Sequence, residues 1–131
     1  MEKNPRLEAD IVEAFVGNSH GDFEKVKELL EREPALVNAC WDWGGGDWET
    51  GLGAAAHTGQ KEIAEYLISK GARVDIFAAA MLGQSDVVRG ILDAFPESRN
   101  APGPHGIPLI VHANAGGEDA AGVVELLKNL D

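Results

Sequence analysis

The chain has 131 residues and a formal net charge of −11, from 22 acidic against 11 basic residues, a balance that argues against nucleic acid and anionic membranes as partners. Its length suits a single domain, and a composition of 44% hydrophobic and 25% charged residues excludes a largely disordered chain. No apolar run approaches the roughly 20 residues of a membrane span, and Cys40 has no second cysteine for a disulfide, so we expect a cytoplasmic protein.

Four helix pairs are predicted in chain order, each made of a short helix, a glycine and a longer amphipathic helix. The second helices carry aliphatic residues at i, i+3 and i+4, which predicts one buried stripe on each. Residues 54–56 and 78–80 are alanines, so two of the first helices allow close packing of a neighbour. We expect the glycine in each pair to form a left-handed helix C-cap. These glycines are Gly21, Gly59, Gly83 and Gly116.

A single helix pair cannot bury its apolar faces, so the pairs are predicted to stack in line as a solenoid. We therefore predict one domain over residues 1–131, with all of its structure helical apart from one long hairpin loop. The predicted repeats span residues 8–39, 40–74, 75–101 and 102–131.

The second pair resembles an ankyrin repeat. The Thr-Pro-Leu-His-x-Ala motif of that family is matched in part at Thr50, Leu52 and Ala55, and its Gly-Ala-Asp-Val-Asn turn is matched by residues 71–75, Gly-Ala-Arg-Val-Asp. A further partial match lies at Pro108, Leu109 and Ala113. The resemblance covers about residues 8–131 and implies an all-α, ankyrin-like helix-turn-helix solenoid that binds proteins.

Two departures from the family pattern are expected to shape the fold. No repeat keeps the motif histidine, since Gly53, Phe77 and Ile110 stand in its place. The spacing of 38 residues between Gly21 and Gly59 implies a long first hairpin. The next spacing, 24 residues, is about nine short of the family's roughly 33, so the second hairpin is expected to be missing.

All three tryptophans lie in the predicted hairpin, within residues 41–48, around the glycines at 44–46. We expect this hairpin to project from the stack as a binding finger, because tryptophan is enriched at binding hot spots. The alternative is that one or two of the tryptophans fold back onto the stack. Nearby acidic side chains are expected to steer a basic partner.

The ends of the first helices face the concave groove in the family that the chain resembles. There Met81 and Leu82 would form an apolar centre of the groove. The alternative is that Met81 is a core residue. His20 and His57 are either groove residues or solvated surface residues. The full set of predicted partner-binding residues is Trp41, Asp42, Trp43, Asp47, Trp48, Glu49, His57, Thr58, Met81, Leu82 and Asn114.

Catalytic, metal and cofactor sites are not predicted. The four histidines are far apart in the sequence and show no i, i+4 pair, and we expect His112 to be a hydrogen-bonded core residue rather than a metal ligand. A lone cysteine such as Cys40 is more often a small buried hydrophobic residue than a nucleophile. The Gly-x-Gly-x-x-Ala pattern at residues 51–56 is not expected to bind a nucleotide, because we do not expect residues 46–50 to form the buried strand that such a site requires before it. Residues 102–106 are expected to be a rigid connector.

The sequence predicts a non-catalytic protein–protein interaction module that uses the tryptophan hairpin and the concave helix face. Its partner is expected to be a protein, with a basic one the easier match. Two alternatives remain open. One is a self-associating homo-oligomer, such as a homodimer, without an external partner. The other is a small-ligand enzyme that uses Cys40 or His57.

Overall fold

Four pairs of α-helices follow one another in the computed structural model, which describes residues 4–130. Residues 1–3 and 131 of the predicted domain lie outside the described residues. The helices are α1 (Ala9–Asn18), α2 (Phe23–Arg32), α3 (Gly51–His57), α4 (Lys61–Ser69), α5 (Ile76–Met81), α6 (Ser85–Ala94), α7 (Leu109–Ala115) and α8 (Ala121–Lys128). The strands are β1 (Cys40–Asp42) and β2 (Trp48–Thr50). The predicted all-α repeat architecture is confirmed, and none of the helices described is long and apolar enough to cross a membrane.

The first helices of successive pairs stack in a row, with α3 packed between α1 and α5, and α5 packed against α7. Helix α3 is made mostly of glycine and alanine and is buried from Gly51 to Ala56. It begins where the Thr50 hydroxyl accepts a hydrogen bond from the Gly53 N–H, and Asp75 caps α5 in the same way through the Ala78 N–H. The capping residue therefore determines where each of these helices starts, and the small side chains that follow allow its close packing.

The second helices bury the aliphatic stripe that their spacing predicts. Val26, Leu29 and Leu30 of α2 are buried, as are Val88 and Leu92 of α6. The first two repeats share one apolar cluster around Phe15, Leu36 and Leu52, and the last two share another around Ile76 and Leu109. The core therefore runs along the stack rather than lying at one centre.

The predicted left-handed glycines are confirmed at Gly59 (φ 68°) and Gly83 (φ 75°). The prediction is wrong at Gly21, which is not left-handed, and at Gly116, whose φ is −75°. In the fourth repeat Gly117 takes the positive φ instead, because a 3₁₀ turn at Gly117–Ala120 begins there. Gly116 is needed for a different reason, since a Cβ at that position would collide with the Met81 carbonyl.

The predicted long hairpin is an antiparallel pair of strands, in which Trp41 lies opposite Glu49 and Asp42 lies opposite Trp48. It is the only sheet among residues 4–130. This agrees with the 24-residue spacing between Gly59 and Gly83, from which we expected no second hairpin. Cys40, at the start of β1, is exposed, so the expectation that it is buried is wrong. Cys40, as the first residue of the hairpin, lies outside the core.

Candidate functional site

The tip of the hairpin is ordered by Asp42 and three glycines. The Asp42 carboxylate accepts hydrogen bonds from the N–H groups of Gly44 (2.8 Å) and Gly46 (3.0 Å). Residues 44–46 have φ values of 137°, 65° and 91°, a left-handed region that favours glycine. The tip is therefore a defined turn that presents the residues on either side of it.

The three tryptophans of the hairpin occupy three different environments. Trp41 is partly buried against the apolar cluster of the first two repeats. Trp43 is 40% exposed, lies beside Gly17 of α1, and donates its indole N–H to Glu49. Trp48 is 60% exposed. Two of the tryptophans thus fold back onto the stack, as the alternative had it, and Trp48 is the one presented most fully to a partner.

Glu49 lies at the base of the hairpin and is 1% exposed, so its predicted role as a surface carboxylate is wrong. Its Oε1 accepts the Trp43 Nε1–H hydrogen bond at 2.8 Å and lies 3.1 Å from His20 Nε2. Its Oε2 lies 3.0 Å from His57 Nε2 and 3.3 Å from His105 Nε2. One buried carboxylate therefore faces three imidazole rings.

The three histidines come from three repeats. His20 lies in the turn after α1, His57 is the last residue of α3, and His105 lies in the loop before α7. We call these three residues and Glu49 the histidine cluster; one ligand atom from each lies within 4.8 Å of all the others. Their separation in the sequence, which led us to expect no such group, is removed by the stacking of the repeats.

His20 and His57 are not solvated surface residues, since their side chains are only 28% and 14% exposed. Both lie just before the glycine that follows the first helix of a repeat, so stacking places them side by side, with ring centroids 5.1 Å apart. Their shared location near the end of a first helix is a signal that sequence reasoning did not use to predict this contact. His105 has no comparable signal, because a long irregular loop carries it.

The loop that holds His105 does more than connect two repeats. The His105 N–H donates to Asp47 Oδ1 at 2.7 Å, and its Nδ1 lies 2.6 Å from Asp47 Oδ2. His105 has a φ of 60°, which is uncommon outside glycine. The loop is therefore tied to the hairpin, with the His105 ring turned towards Glu49.

The histidines differ in their affinity for protons. Burial lowers the pKa of His57, although the neighbouring charge of Glu49 opposes the shift. Burial also acts on His105, but the hydrogen bond to Asp47 and the charges of Glu49 and Asp47 outweigh it and raise the pKa of that ring. The backbone hydrogen bond from His105 lowers the pKa of Asp47. Near neutral pH the site therefore combines a neutral ring at His57 with an ionised carboxylate at Asp47.

His112 stays outside the histidine cluster. It is fully buried in α7, and its Nδ1 lies 3.0 Å from the carbonyl oxygen of Pro108. Burial lowers the pKa of its ring. The prediction of a hydrogen-bonded core histidine is confirmed.

The remaining predicted binding residues do not form one surface. Met81 is 1% exposed and belongs to the core, so its predicted role as an exposed anchor is wrong; the tight stacking of α5 between α3 and α7 leaves it no access to solvent. Leu82 is half-buried and lines a shallow groove beside Lys61. The Thr58 hydroxyl donates to the Ala54 carbonyl at 2.6 Å, while Asn114 is exposed.

A larger open groove of about 740 Å³ lies between the hairpin tip and the loop at residues 102–106. Of the predicted binding residues, Asp47 and Trp48 line it. Its other lining residues are Gly44, Gly45, Gly46, Thr50, Gly53, Asp75, Phe77, Pro102, Gly103, Pro104, His105 and Gly106. The groove is thus bordered by two carboxylates, by the rings of Trp48, Phe77 and His105, and by several glycines.

The enzyme alternative relied on Cys40 or His57. The ring of His57 faces Glu49, His20, His105 and His112, and Cys40 is exposed on the hairpin. The structure therefore pairs His57 with a carboxylate and other histidines rather than with the thiol.

Two comparisons with known proteins agree with the helical architecture. Residues 47–79 match the family model of the ankyrin repeat. A putative ankyrin repeat protein of Rickettsia felis is 37% identical over 71 residues, which are 54% of this chain and 30% of that relative. The match therefore spans less than a third of the relative's length. Ankyrin repeats generally mediate protein–protein interactions and are generally not enzymes. The segment that is similar to an ankyrin repeat is therefore the one that carries Glu49 and His57.

Proposed function

We propose that the chain is a non-catalytic binding module that takes a basic peptide segment of a protein partner into the groove beside Trp48. The observation that carries this proposal is Trp48 itself, a tryptophan 60% exposed at the wall of a groove of about 740 Å³. An exposed tryptophan beside a cleft is the type of residue that dominates binding energy in protein interfaces.

The charge around the groove supports a basic occupant. Asp47 and Asp75 line it, and none of the described lining residues is a lysine or an arginine. The whole chain carries a formal net charge of −11, which speeds the approach of a cationic partner. An arginine or lysine side chain can also lie on the face of an indole ring, an attraction that grows as water is excluded.

The groove is preorganised on both sides. Asp42 holds the glycine turn of the hairpin, and Asp47 ties the hairpin to His105 of the opposite loop. Binding to a formed groove loses less conformational entropy than binding to a loop that must first become ordered.

A random peptide library displayed on phage and selected on the immobilised chain tests the proposal. We expect the selected peptides to be rich in arginine and lysine, and to bind more weakly as salt concentration rises. Fluorescence anisotropy then compares their affinity for the wild type, for Trp48→Ala and for the matched control Phe95→Ala. Phe95 is 64% exposed but is not a lining residue of the groove.

We expect Trp48→Ala to weaken binding by at least about tenfold, in line with the loss of a hot-spot aromatic residue, and Phe95→Ala to leave it unchanged. Selected peptides without basic residues, or equal affinity for Trp48→Ala and the wild type, would overturn the proposal.

A further inference from the structure

Two buried polar atoms in the histidine cluster have no hydrogen-bond partner. They are Glu49 Oε2 and His57 Nε2, which lie 3.0 Å apart but not in hydrogen-bond geometry. Buried polar groups in proteins are nearly always hydrogen-bonded, so each exception calls for an explanation. Here both atoms belong to residue types that bind metal ions.

The hydrogen bond on the far side of His20 determines which of its nitrogens faces Glu49 without a proton. His20 Nδ1 lies 2.9 Å from the Gly17 carbonyl oxygen, which can only accept, so Nδ1 carries the hydrogen. In the neutral ring Nε2 then presents a lone pair towards Glu49 Oε1, 3.1 Å away. Two acceptors at this distance repel each other unless a cation lies between them.

The same arrangement recurs at His105. Its Nδ1 lies 2.6 Å from Asp47 Oδ2, a carboxylate oxygen that accepts, and its Nε2 is directed at Glu49 Oε2 at 3.3 Å. A metal-binding histidine typically donates its other ring N–H to a carboxylate or a backbone carbonyl, which orients the ring and raises its basicity. His105 and His20 show one of each, and the Trp43 indole holds the Glu49 carboxylate in turn.

We infer that His20, His57, His105 and Glu49 together bind one divalent transition-metal ion, with Zn²⁺ as the expected ion. Three imidazole nitrogens and one carboxylate oxygen are donors that suit zinc and are unlike the all-oxygen sets that Mg²⁺ and Ca²⁺ prefer. A single ion would supply the positive charge that all four facing atoms require.

The spacing of the donors agrees with this assignment. Bond lengths of about 2.0–2.2 Å in a tetrahedral zinc site place neighbouring ligand atoms roughly 3.3 Å apart. One ligand atom from each residue of the histidine cluster lies within 4.8 Å of the others. Glu49 Oε2 is 3.0 Å from His57 Nε2 and 3.3 Å from His105 Nε2, and its Oε1 is 3.1 Å from His20 Nε2. Small side-chain movements bring all four to bonding distance, with no rearrangement of the helices.

The site would cross-link the solenoid. Its ligands come from the end of α1, from the hairpin and the end of α3, and from the loop before α7. Repeats of a helical solenoid generally contact their neighbours, and this ion would join the first, second and fourth repeats at one point. An ion bound by the folded chain and not by the unfolded chain raises stability, so we assign it a structural role. All four positions are filled by the protein, as in structural zinc sites rather than catalytic ones.

The test uses the untagged full chain, freed of metal by a chelator and then titrated with Zn²⁺ in competition with a chromogenic chelator. We expect one Zn²⁺ per chain, a rise in the midpoint of thermal unfolding on addition of the ion, and no response to Mg²⁺. Co²⁺ is a second probe, because four-coordinate Co²⁺ shows intense visible absorption and the hydrated ion does not.

His105→Asn is the main variant, since asparagine tolerates the left-handed backbone at this exposed loop position. We expect it to weaken Zn²⁺ binding by more than about tenfold and to abolish the zinc-dependent rise in thermal stability. Asp47→Asn, which changes a positioning residue, is expected to weaken binding by about 10–100-fold. Glu65→Gln, at an exposed carboxylate of α4, is the matched control and should bind as the wild type does.

Two outcomes would overturn the inference. One is a wild-type chain that takes up no more Zn²⁺ than His105→Asn, which would mean that protons alone hold the histidine cluster together. The other is a folded His105→Asn variant, checked by its helical circular dichroism, that binds Zn²⁺ with unchanged affinity and shows the same visible spectrum with Co²⁺.

Discussion

The indole Nε1 of Trp43 donates a hydrogen bond of 2.8 Å to Oε1 of Glu49, across the neck of the hairpin. This hydrogen bond gives the indole of Trp43 a structural role, although its side chain is partly exposed. It also allows a carboxylate to remain buried, because one of its oxygens has a defined donor. The hydrogen bond therefore joins the two sides of the hairpin, and Glu49 in turn faces His20 and His57 of the helical stack.

Glu49→Ala is expected to destabilise the fold by about 3–5 kcal/mol, the usual cost of removing one partner from a buried charged cluster. The change leaves the Trp43 N–H without its acceptor and removes the carboxylate that the three histidines face. Urea unfolding followed by circular dichroism measures the free energy of unfolding. The control Glu65→Ala, at an exposed position of α4, should change it by less than about 0.5 kcal/mol. Equal effects of the two variants would contradict this account of Glu49.

Met81→Ala is expected to cost about 2–5 kcal/mol, since it leaves a cavity in the core between the stacked helices. Its neighbour Leu82 is half-buried, and Leu82→Ala should cost clearly less. The comparison uses the same urea titration for both variants. If Met81→Ala proves as stable as the wild type, Met81 does not occupy the buried position described above.

Gly83→Ala and Gly90→Ala are expected to act in opposite directions. Gly83 has a φ of 75°, and a Cβ there would collide with the Asp119 carbonyl, so alanine should cost more than about 1 kcal/mol. Gly90 is exposed within α6 with open space around it, and alanine there should stabilise by roughly 0.5–1 kcal/mol. The measurement is the thermal unfolding midpoint of each variant relative to the wild type. A shift of the same sign in both variants would contradict the prediction.

Cys40 is expected to react with a thiol reagent in the folded protein, because its residue is exposed at the start of β1. A chromogenic disulfide reagent should react with the thiol of the folded chain at a rate within a few-fold of its rate with the chain unfolded in denaturant. Cys40→Ser should leave stability unchanged within about 0.5 kcal/mol, as surface substitutions generally do. A thiol that reacts only after unfolding would show that the side chain is covered.

Local patterns were sufficient to predict the helix pairs, their order and the single hairpin. Helical spacing of aliphatic residues identifies a buried stripe without any knowledge of what covers it. The left-handed glycines Gly59 and Gly83 were likewise predicted from local signals. The prediction was least accurate where a residue's environment depends on a neighbour distant in the sequence.

Met81 and Glu49 illustrate that dependence. Met81 stands at a helix end that the family pattern assigns to the groove, yet the close stacking of alanine-rich helices buries it. Glu49 alternates with exposed Trp48 in an acidic hairpin, yet the register of the strands turns it inward. Burial is a property of the packed stack, and a short sequence window does not contain it.

By itself, the sequence determined a stack of four helix pairs with one tryptophan hairpin, because hydrophobic periodicity, caps and glycines act over a few residues. Only the tertiary structure decided that His20, His57 and His105 meet around one carboxylate. Repeats that are separated along the chain become neighbours in space, and the irregular loop before α7 brings the ring of His105 to the other two. A site assembled in this way has no local signature, since each of its residues is ordinary within its own segment.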